Sequence, residues 1–401
     1  MKTAGLDIGT TGCKCTVFDA QGRFLDKAYR DYTVKRAVGC HEMDASAVMD
    51  SVFRVIREMA YKYPDIAGIG VTSFGETFVC VDETGHPLHP AMLYTDPRGK
   101  EECAYLAEKL GERRIAGITG LRPHEMYSIA KIMWIRKHHP KIYENTRRIS
   151  LMEDYVVWHL TGRAQIDYSL AARTMAFDIA KLDWSEEILA AAGVDRRLLA
   201  EPVPTGTVAG NITARAAEET GLCRAVRVVS VSHDQVAAAV GAGVFDSSVA
   251  VDGAGTVECL TPVYDGLPDL DRMYEGFFSV VPYVIPGKYV AYAFSYTGGA
   301  LLQWCTQTIA CREAELAAGQ GVSVNAFLEK EYELLRGEDA PSGLLVLPHF
   351  AGAATPYMDT GSKGAVLGLT MTTTAADIYR SCICRSRHSR LWTQVQLVLP
   401  C

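Results

Sequence analysis

No stretch of this 401-residue sequence approaches the roughly 20 consecutive apolar residues that span a bilayer, so a membrane partner is not expected. Its first residues lack the basic region, apolar stretch and small cleavage residues of a secretory leader, and a cytoplasmic location is expected. None of the twelve cysteines forms a C-x-x-C pair. Cys13 and Cys15, two residues apart, share one face of a strand, but no His or Cys stands near them to complete a metal site. They read as packed, reduced thiols. A basic stripe is also missing: the formal charge is -7, which argues against a nucleic-acid partner and leaves an anionic substrate to be met by local donors. What the chain does have is core-forming material. At 401 residues and 48% apolar content it exceeds the size at which a single core usually splits, so two domains, and with them a cleft, are expected.

Residues Gly5 to Lys14 (G-L-D-I-G-T-T-G-C-K) join a buried strand to a glycine-threonine turn carrying one acid. Such a turn suits phosphate. Gly9 and Gly12 are expected at positive φ so that the backbone approaches an anion, Thr10 and Thr11 add hydroxyl donors with Lys14 beside them, and Asp7 can hold hydrated magnesium. It is not a Walker loop, which places Gly directly before Lys, then Ser or Thr and a helix. Cys13 to Phe18 instead reads as a second strand, so the turn closes a β-hairpin. An ordinary hairpin has a similar composition. Val251 to Glu258 (V-D-G-A-G-T-V-E) repeats strand, acid, glycine and threonine, with Gly255 and Thr256 in the turn. Two such hairpins point to a duplicated unit whose halves grip different parts of one polyphosphate, the logic of the actin-like ATPase fold.

The segment Met126 to His138 (M-Y-S-I-A-K-I-M-W-I-R-K-H) resembles, in its spacing of Ser, Lys, Trp and the final basic pair, the first signature of the FGGY carbohydrate kinases. Tyr94 to Arg98, Asp154 to Gly162, Ser232 to Gln235 and Gly364 to Leu369 agree with that family in order. The resemblance runs from about residue 3 to 381 and implies an α/β chain of two ribonuclease-H-like domains with a cleft between them, the second incomplete. Residues 1–245 would form the sugar side with a helical insertion at about 100–225, and residues 246–381 the nucleotide side. The tail 382–401 has no counterpart in the family and is expected to reflect a frameshift or cloning junction. Implied with the family are ATP, magnesium and a small sugar or polyol as partners, while self-association is left open.

Along the chain, Leu6 to Tyr32 reads as three short strands, Asp44 as the cap of a helix with Val48, Val52, Val55 and Met59 on one face, and Ile66 to Ser73 as a strand. Val226 to Val231 reads as a buried strand that ends at Asp234, where an Ala-rich helix starts; α/β folds place chemistry there. The resemblance makes Asp234 the general base, with a metal contact shared with Asp7. As an acid at a helix N-terminus it is expected to have a low pKa and to accept the proton late in a loose phosphoryl-transfer transition state. A plain N-cap is the structural alternative.

Glu76, Asp96, Arg98 and Gln235 are the expected sugar contacts, since polyols need acceptors and bidentate donors. Glu76 and Arg98 also read as solvated loop residues and Asp96, before Pro97, as a turn residue. Asp154 reads as a helix N-cap and His233 as an orienting neighbour. Ser73 to Thr77 (S-F-G-E-T) partly resembles the glycerol-kinase pattern without its Gln-Arg pair, Met126 stands where that subgroup has a Tyr, and the Gln-Met-His run of xylulose kinases is absent. A ketopentose, a polyol and a sugar acid are all admissible. Competing readings are a chaperone-like or regulatory ATPase of the same fold, and a sugar-binding fragment inactive through loss of the adenosine site.

Overall fold

The computed structural model describes residues 1–255, 258–338, 340–359 and 361–388, with 254 and 384–388 described by their backbone alone. Buried Ala4, Leu6 and Ile8 alternate with polar neighbours, as do Cys13, Cys15 and Val17, and this period of two builds a hairpin of β1 (Lys2–Ile8) and β2 (Gly12–Phe18), extended by β3 (Phe24–Asp31). A second hairpin follows, β4 (Val34–Ala37) and β5 (Cys40–Met43). Asp44 caps α1 (Ala45–Lys62) by accepting the Ser46 and Ala47 N–H groups, and Val48, Val52, Val55 and Met59 are fully buried on one face. Each such side chain contributes about 1.5–3 kcal/mol on leaving water. β6 (Ile66–Ser73) then pairs parallel with β1, and β7 (Phe78–Val81) and β8 (Ala91–Met92) join the sheet of β4 and β5.

The following region contains α2 (Lys100–Leu110), α3 (Glu112–Thr119), α4 (Ser128–His138), α5 (Pro140–Asn145), β9 (Arg148–Leu151) and α6 (Met152–Thr161). After these come β10 (Gln165–Asp167), α7 (Tyr168–Ala172), β11 (Phe177–Asp178), β12 (Asp183–Trp184), α8 (Glu186–Ala192) and β13 (Glu201–Val203). The helical insertion expected over about 100–225 therefore ends early. β14 (Thr207–Asn211) is already the edge strand of the main sheet, and α9 (Ala214–Thr220) buries Ala216 in the same core. The sequence T-V-A-G-N hides this strand because it is short and its register shifts between Val208 and Gly210. β15 (Arg227–His233) completes the order β14-β15-β6-β1-β2-β3, and α10 (Asp234–Gly241) starts on the next residue. Asp154 does not cap α6: Leu151 holds that position, and Asp154 lies buried in the first turn, where desolvation pushes its carboxyl up to about 7.

Further on, β16 (Ala250–Ala254), β17 (Glu258–Tyr264), α11 (Leu270–Glu275), β18 (Ser279–Pro282) and β19 (Tyr289–Ser295) supply a four-stranded sheet in the order β16-β17-β19-β18. α12 (Gly299–Trp304), a π turn at Cys305–Ile309, α13 (Cys311–Gly319), α14 (Val324–Arg336), β20 (Leu345–Leu347), β21 (Ala365–Leu367) and α15 (Ala375–His388) follow. The chain falls into two compact units. Met1–Ser247 with Val263–Asp271 and Val280–Val290 form one; Ser248–Pro262, Arg272–Ser279 and the residues from Ala291 on form the other. Residue 382, the expected start of the tail, falls inside α15, and Cys382 is buried with Leu301 and Val346; residues 389–401 lie outside the described residues. Cys13 and Cys15 are packed thiols in the first core, both pushed up to about 12 by burial. Among the described residues no helix is long and apolar enough to cross a membrane.

Candidate active site

The carboxyl ends of the parallel strands β1, β6 and β15 lie in register, with Ile8 beside Ser73 and Ser73 beside His233. An α/β sheet presents its chemistry at such ends. They bring Asp7, Glu76 and Asp234 within electrostatic reach of one another. Asp234 opens α10; its Oδ1 accepts the Gln235 N–H at 2.6 Å and lies 3.3 Å from His233 Nε2. The low pKa expected from the helix terminus is overturned here. Desolvation dominates even though 32% of the side chain still reaches solvent, and repulsion from Asp7 and Glu76 adds to it. Together they outweigh the Gln235 N–H and the Arg173 charge, and Asp234 is pushed up to about 7. His233 is buried and, through that burial and the Arg173 charge, kept well below its ordinary value. It stays neutral and can donate Nε2–H to Asp234.

Asp7 and Lys14 stand opposite each other across the first hairpin, with Lys14 Nζ 3.2 Å from Asp7 Oδ2. The turn between them is closed by the Gly9 N–H on the Gly12 carbonyl at 2.9 Å, and Tyr32 pins it by donating its hydroxyl to Gly9 O and its N–H to Thr11 O. Neither Gly9 nor Gly12 adopts the expected positive φ. Close approach is what requires them: a Cβ on Gly12 would lie 2.3 Å from Tyr29 Oη and 2.7 Å from Arg30 O, and one on Gly9 3.1 Å from Gly12 O. Thr10 is half-buried and Thr11 exposed. Two hydroxyls, a lysine and the neighbouring carboxylates of Asp7 and Asp234 suit a polyphosphate with a hydrated magnesium ion. Among the described residues no group of three acidic, His or Cys ligands could hold a metal, and an ion bound mainly through water and phosphate needs none.

In the second hairpin Gly255 is exposed and its carbonyl accepts the Gly299 N–H at 2.7 Å, while Thr256 lies outside the described residues. Beside that turn Glu258 is buried, and desolvation, with Asp252 adding repulsion, pushes it up to about 8.

On the sugar side, Glu76 is buried and takes φ 62°, a left-handed conformation unusual for a side-chain-bearing residue. Arg173 holds it, with Nε donating to Oε1 at 2.5 Å and a second guanidinium nitrogen on the same oxygen. Sequence reasoning missed Arg173. The available signal was a lone guanidinium inside the apolar run L-A-A-R-T-M-A-F, which burial obliges to find a carboxylate. Asp96, expected to contact the sugar, is held inside the fold. Its side chain is wholly buried, Oδ2 accepts the His41 N–H at 2.7 Å, and Oδ1 accepts Arg98 N at 3.0 Å and Nε at 2.8 Å. Arg98 also bridges to Glu42 at 2.7 Å and stacks over Trp134, so it is locked in place and only 17% exposed. Lys131, also unassigned from sequence, is fully buried between these groups; desolvation pushes it down to about 8 against the pull of Asp96 and Glu76. Tyr94 feels both Glu76 and Asp234, and Gln235 is exposed next to the latter.

A glycine-threonine hairpin on β1 and an acid at the end of β15 in this sheet order define a phosphoryl-transfer protein of the actin-like ATPase class. The chain belongs to the FGGY family of carbohydrate kinases, matching the family's N-terminal domain over residues 3–241 and its C-terminal domain over 265–385. It is 27% identical over 370 residues to the xylulose kinase of Lactococcus lactis subsp. lactis, covering 91% of this chain and 70% of that one. It is 31% identical over 392 residues to the glycerol kinase of Halorhodospira halophila, covering 94% and 73%. The structure of Plasmodium falciparum glycerol kinase with ADP superposes with a TM-score of 0.82 at 19% identity, over 95% of this chain and 75% of that one.

Proposed function

We propose that this chain transfers the γ-phosphoryl group of ATP to a hydroxyl of a small sugar, ketose or polyol, with Asp234 as general base. The observation that carries this reading is a carboxyl of near-neutral pKa at the end of β15, beside the acid of a phosphate-type hairpin. When bound, ATP supplies the phosphoryl group and magnesium neutralises charge upon it. Gly9, Thr10, Thr11 and Lys14 would offer donors to the phosphates and Asp7 with Asp234 would hold the hydrated ion, while Gly255 and Thr256 are assigned to nucleotide binding. Asp234 accepts the proton of the attacking hydroxyl, oriented by His233. Its raised pKa leaves it only partly ionised at neutral pH in the free site, and it must be ionised to act as the base. Gln235 and the Glu76–Arg173 pair orient the sugar hydroxyls, and Arg98 supports them from its locked position.

Residue 75 bears on the substrate. Gly75 stands where the glycerol-kinase pattern has the Arg of its Gln-Arg pair, and a Cβ there would lie 3.0 Å from Arg173 Cγ and 3.2 Å from His233 Cδ2, so a larger residue would require these two side chains to shift. This supports a ketose, sugar acid or longer polyol over glycerol. The test is ADP formation with a panel of ketoses, sugar acids and polyols. Sugar-dependent turnover is expected, falling on the order of 10²- to 10⁴-fold in Asp234→Asn with little change in sugar affinity. Basal ATP hydrolysis indifferent to every sugar would favour a regulatory ATPase.

A further inference from the structure

The end of β15 is irregular at the point where it delivers the base. Along β15 the register advances three residues, from Ser230 to His233, while the partner β6 advances two, from Val71 to Ser73. Such a bulge interrupts the ladder and re-aims the side chains that follow it. At this break the His233 N–H is taken by a side chain: Ser169 Oγ accepts it at 2.9 Å. The direction of that bond is fixed one step further out. Ser169 has a single hydroxyl proton, and it donates that proton to Asp167 Oδ1, leaving its lone pairs for His233. Asp167 is held in turn by the Ser169 and Leu170 N–H groups at 2.8 and 3.3 Å and by the Thr205 hydroxyl on Oδ2. From β6, Thr72 Oγ1 donates to Ser232 O at 2.5 Å, and Gln165 Nε2 reaches Ser230 Oγ at 3.1 Å. Asp167, Ser169, Ser230 and Ser232 are all buried, so water cannot substitute for these bonds.

We propose that Ser169 and Asp167 are positioning residues for phosphoryl transfer: the relay Thr205 to Asp167 to Ser169 to the His233 N–H fixes the strand end and thereby aims the Asp234 carboxylate. Neither residue touches the sugar in this reading, which rests on Asp234 being the base. A misplacement of about 1 Å in such a group can cost on the order of 10²-fold in rate.

The experiment measures kcat and KM for sugar-dependent ADP formation, sugar Kd by calorimetry and thermal unfolding in Ser169→Ala, Ser169→Thr and Thr205→Val, with Asp234→Asn alongside. Ser169→Ala should lose about 10- to 50-fold in kcat with sugar Kd changed less than about threefold, and Ser169→Thr, which keeps a hydroxyl, should recover most of it. Thr205→Val, at the outer end, should lose about two- to fivefold in kcat alone. A folded Ser169→Ala with unchanged kcat, or one whose loss is entirely in KM, overturns the proposal; if Ser169→Ala does not fold, an unchanged kcat in Thr205→Val does so. Retained turnover in Asp234→Asn overturns instead the assignment of the base.

Discussion

Asp234 is a residue whose position the sequence reveals and whose chemistry it conceals. A strand-end acid before an Ala-rich helix can be read from local pattern, but its pKa depends on Asp7, Glu76 and Arg173, which are distant in the chain. The helix terminus that argues for a low value is outweighed by desolvation, which only the folded packing creates. A stability consequence follows with a definite sign. The folded pKa, about 7, lies above the ordinary 3.8, so the folded state keeps a proton that the unfolded chain has lost between those values. Stability therefore falls as pH rises through that window. Asp234→Asn, which has no charge to desolvate, should unfold at a higher temperature than the parent at pH 8 and at the same temperature below pH 4. The gain is on the order of 1 kcal/mol rather than the full linkage value, since a third of the carboxyl is solvated. Thermal melts at the two pH values check it. Arg173 and Asp96 were less legible for a related reason: each is defined by a partner distant in the chain, Glu76 for Arg173 and the His41 N–H for Asp96, and a loop sequence does not state which carboxylates are already occupied.

At the scale of elements, strands with strict alternation were plain: Ile66–Ser73 is found with the expected limits, and α1 follows its Asp44 cap and apolar face. β14 was hidden by its length and bulge. The first hairpin was legible as a hairpin, yet the reason for its glycines was not, because the atoms that crowd Gly12 come from β3. Gly12→Ala should destabilise the protein by about 1–3 kcal/mol, the usual range for overpacking, because the Arg30 carbonyl cannot rotate away as a side chain could. Gly5→Ala in the same hairpin meets nothing within 4 Å and should be close to neutral. Denaturant titration of the two variants separates crowding from any general intolerance of the strand. Thr10→Ala should leave folding intact and weaken nucleotide binding by roughly 1.5–3 kcal/mol, as expected for a lost charge-assisted bond, measured calorimetrically with an ATP analogue.

For the molecule as a whole, the ordered series of motifs was enough to place the chain in its family, whereas the distribution of surface was not visible from composition. Leu334 and Met371 are largely exposed, and Leu335, Leu345, Leu367 and Leu369 about half exposed, within one stretch of about forty residues. Large apolar side chains left exposed in this number promote association. Sedimentation of the purified protein should show concentration-dependent self-association, and replacing Leu334, Leu369 and Met371 together with Lys should reduce it; a strictly monomeric parent would contradict this.

The near-neutral Asp234 also turns the site into a proton reservoir. Near pH 7 it is partly protonated, and a cation brought in with the nucleotide would expel that proton. The heat of nucleotide binding should then depend on the buffer that receives the proton. Titrations at pH 7 in phosphate and in Tris, whose ionisation enthalpies differ widely, should differ in apparent enthalpy by an amount corresponding to release of a fraction of a proton per site. The difference should vanish in Asp234→Asn, and in the parent at pH 9, where the carboxylate has already ionised.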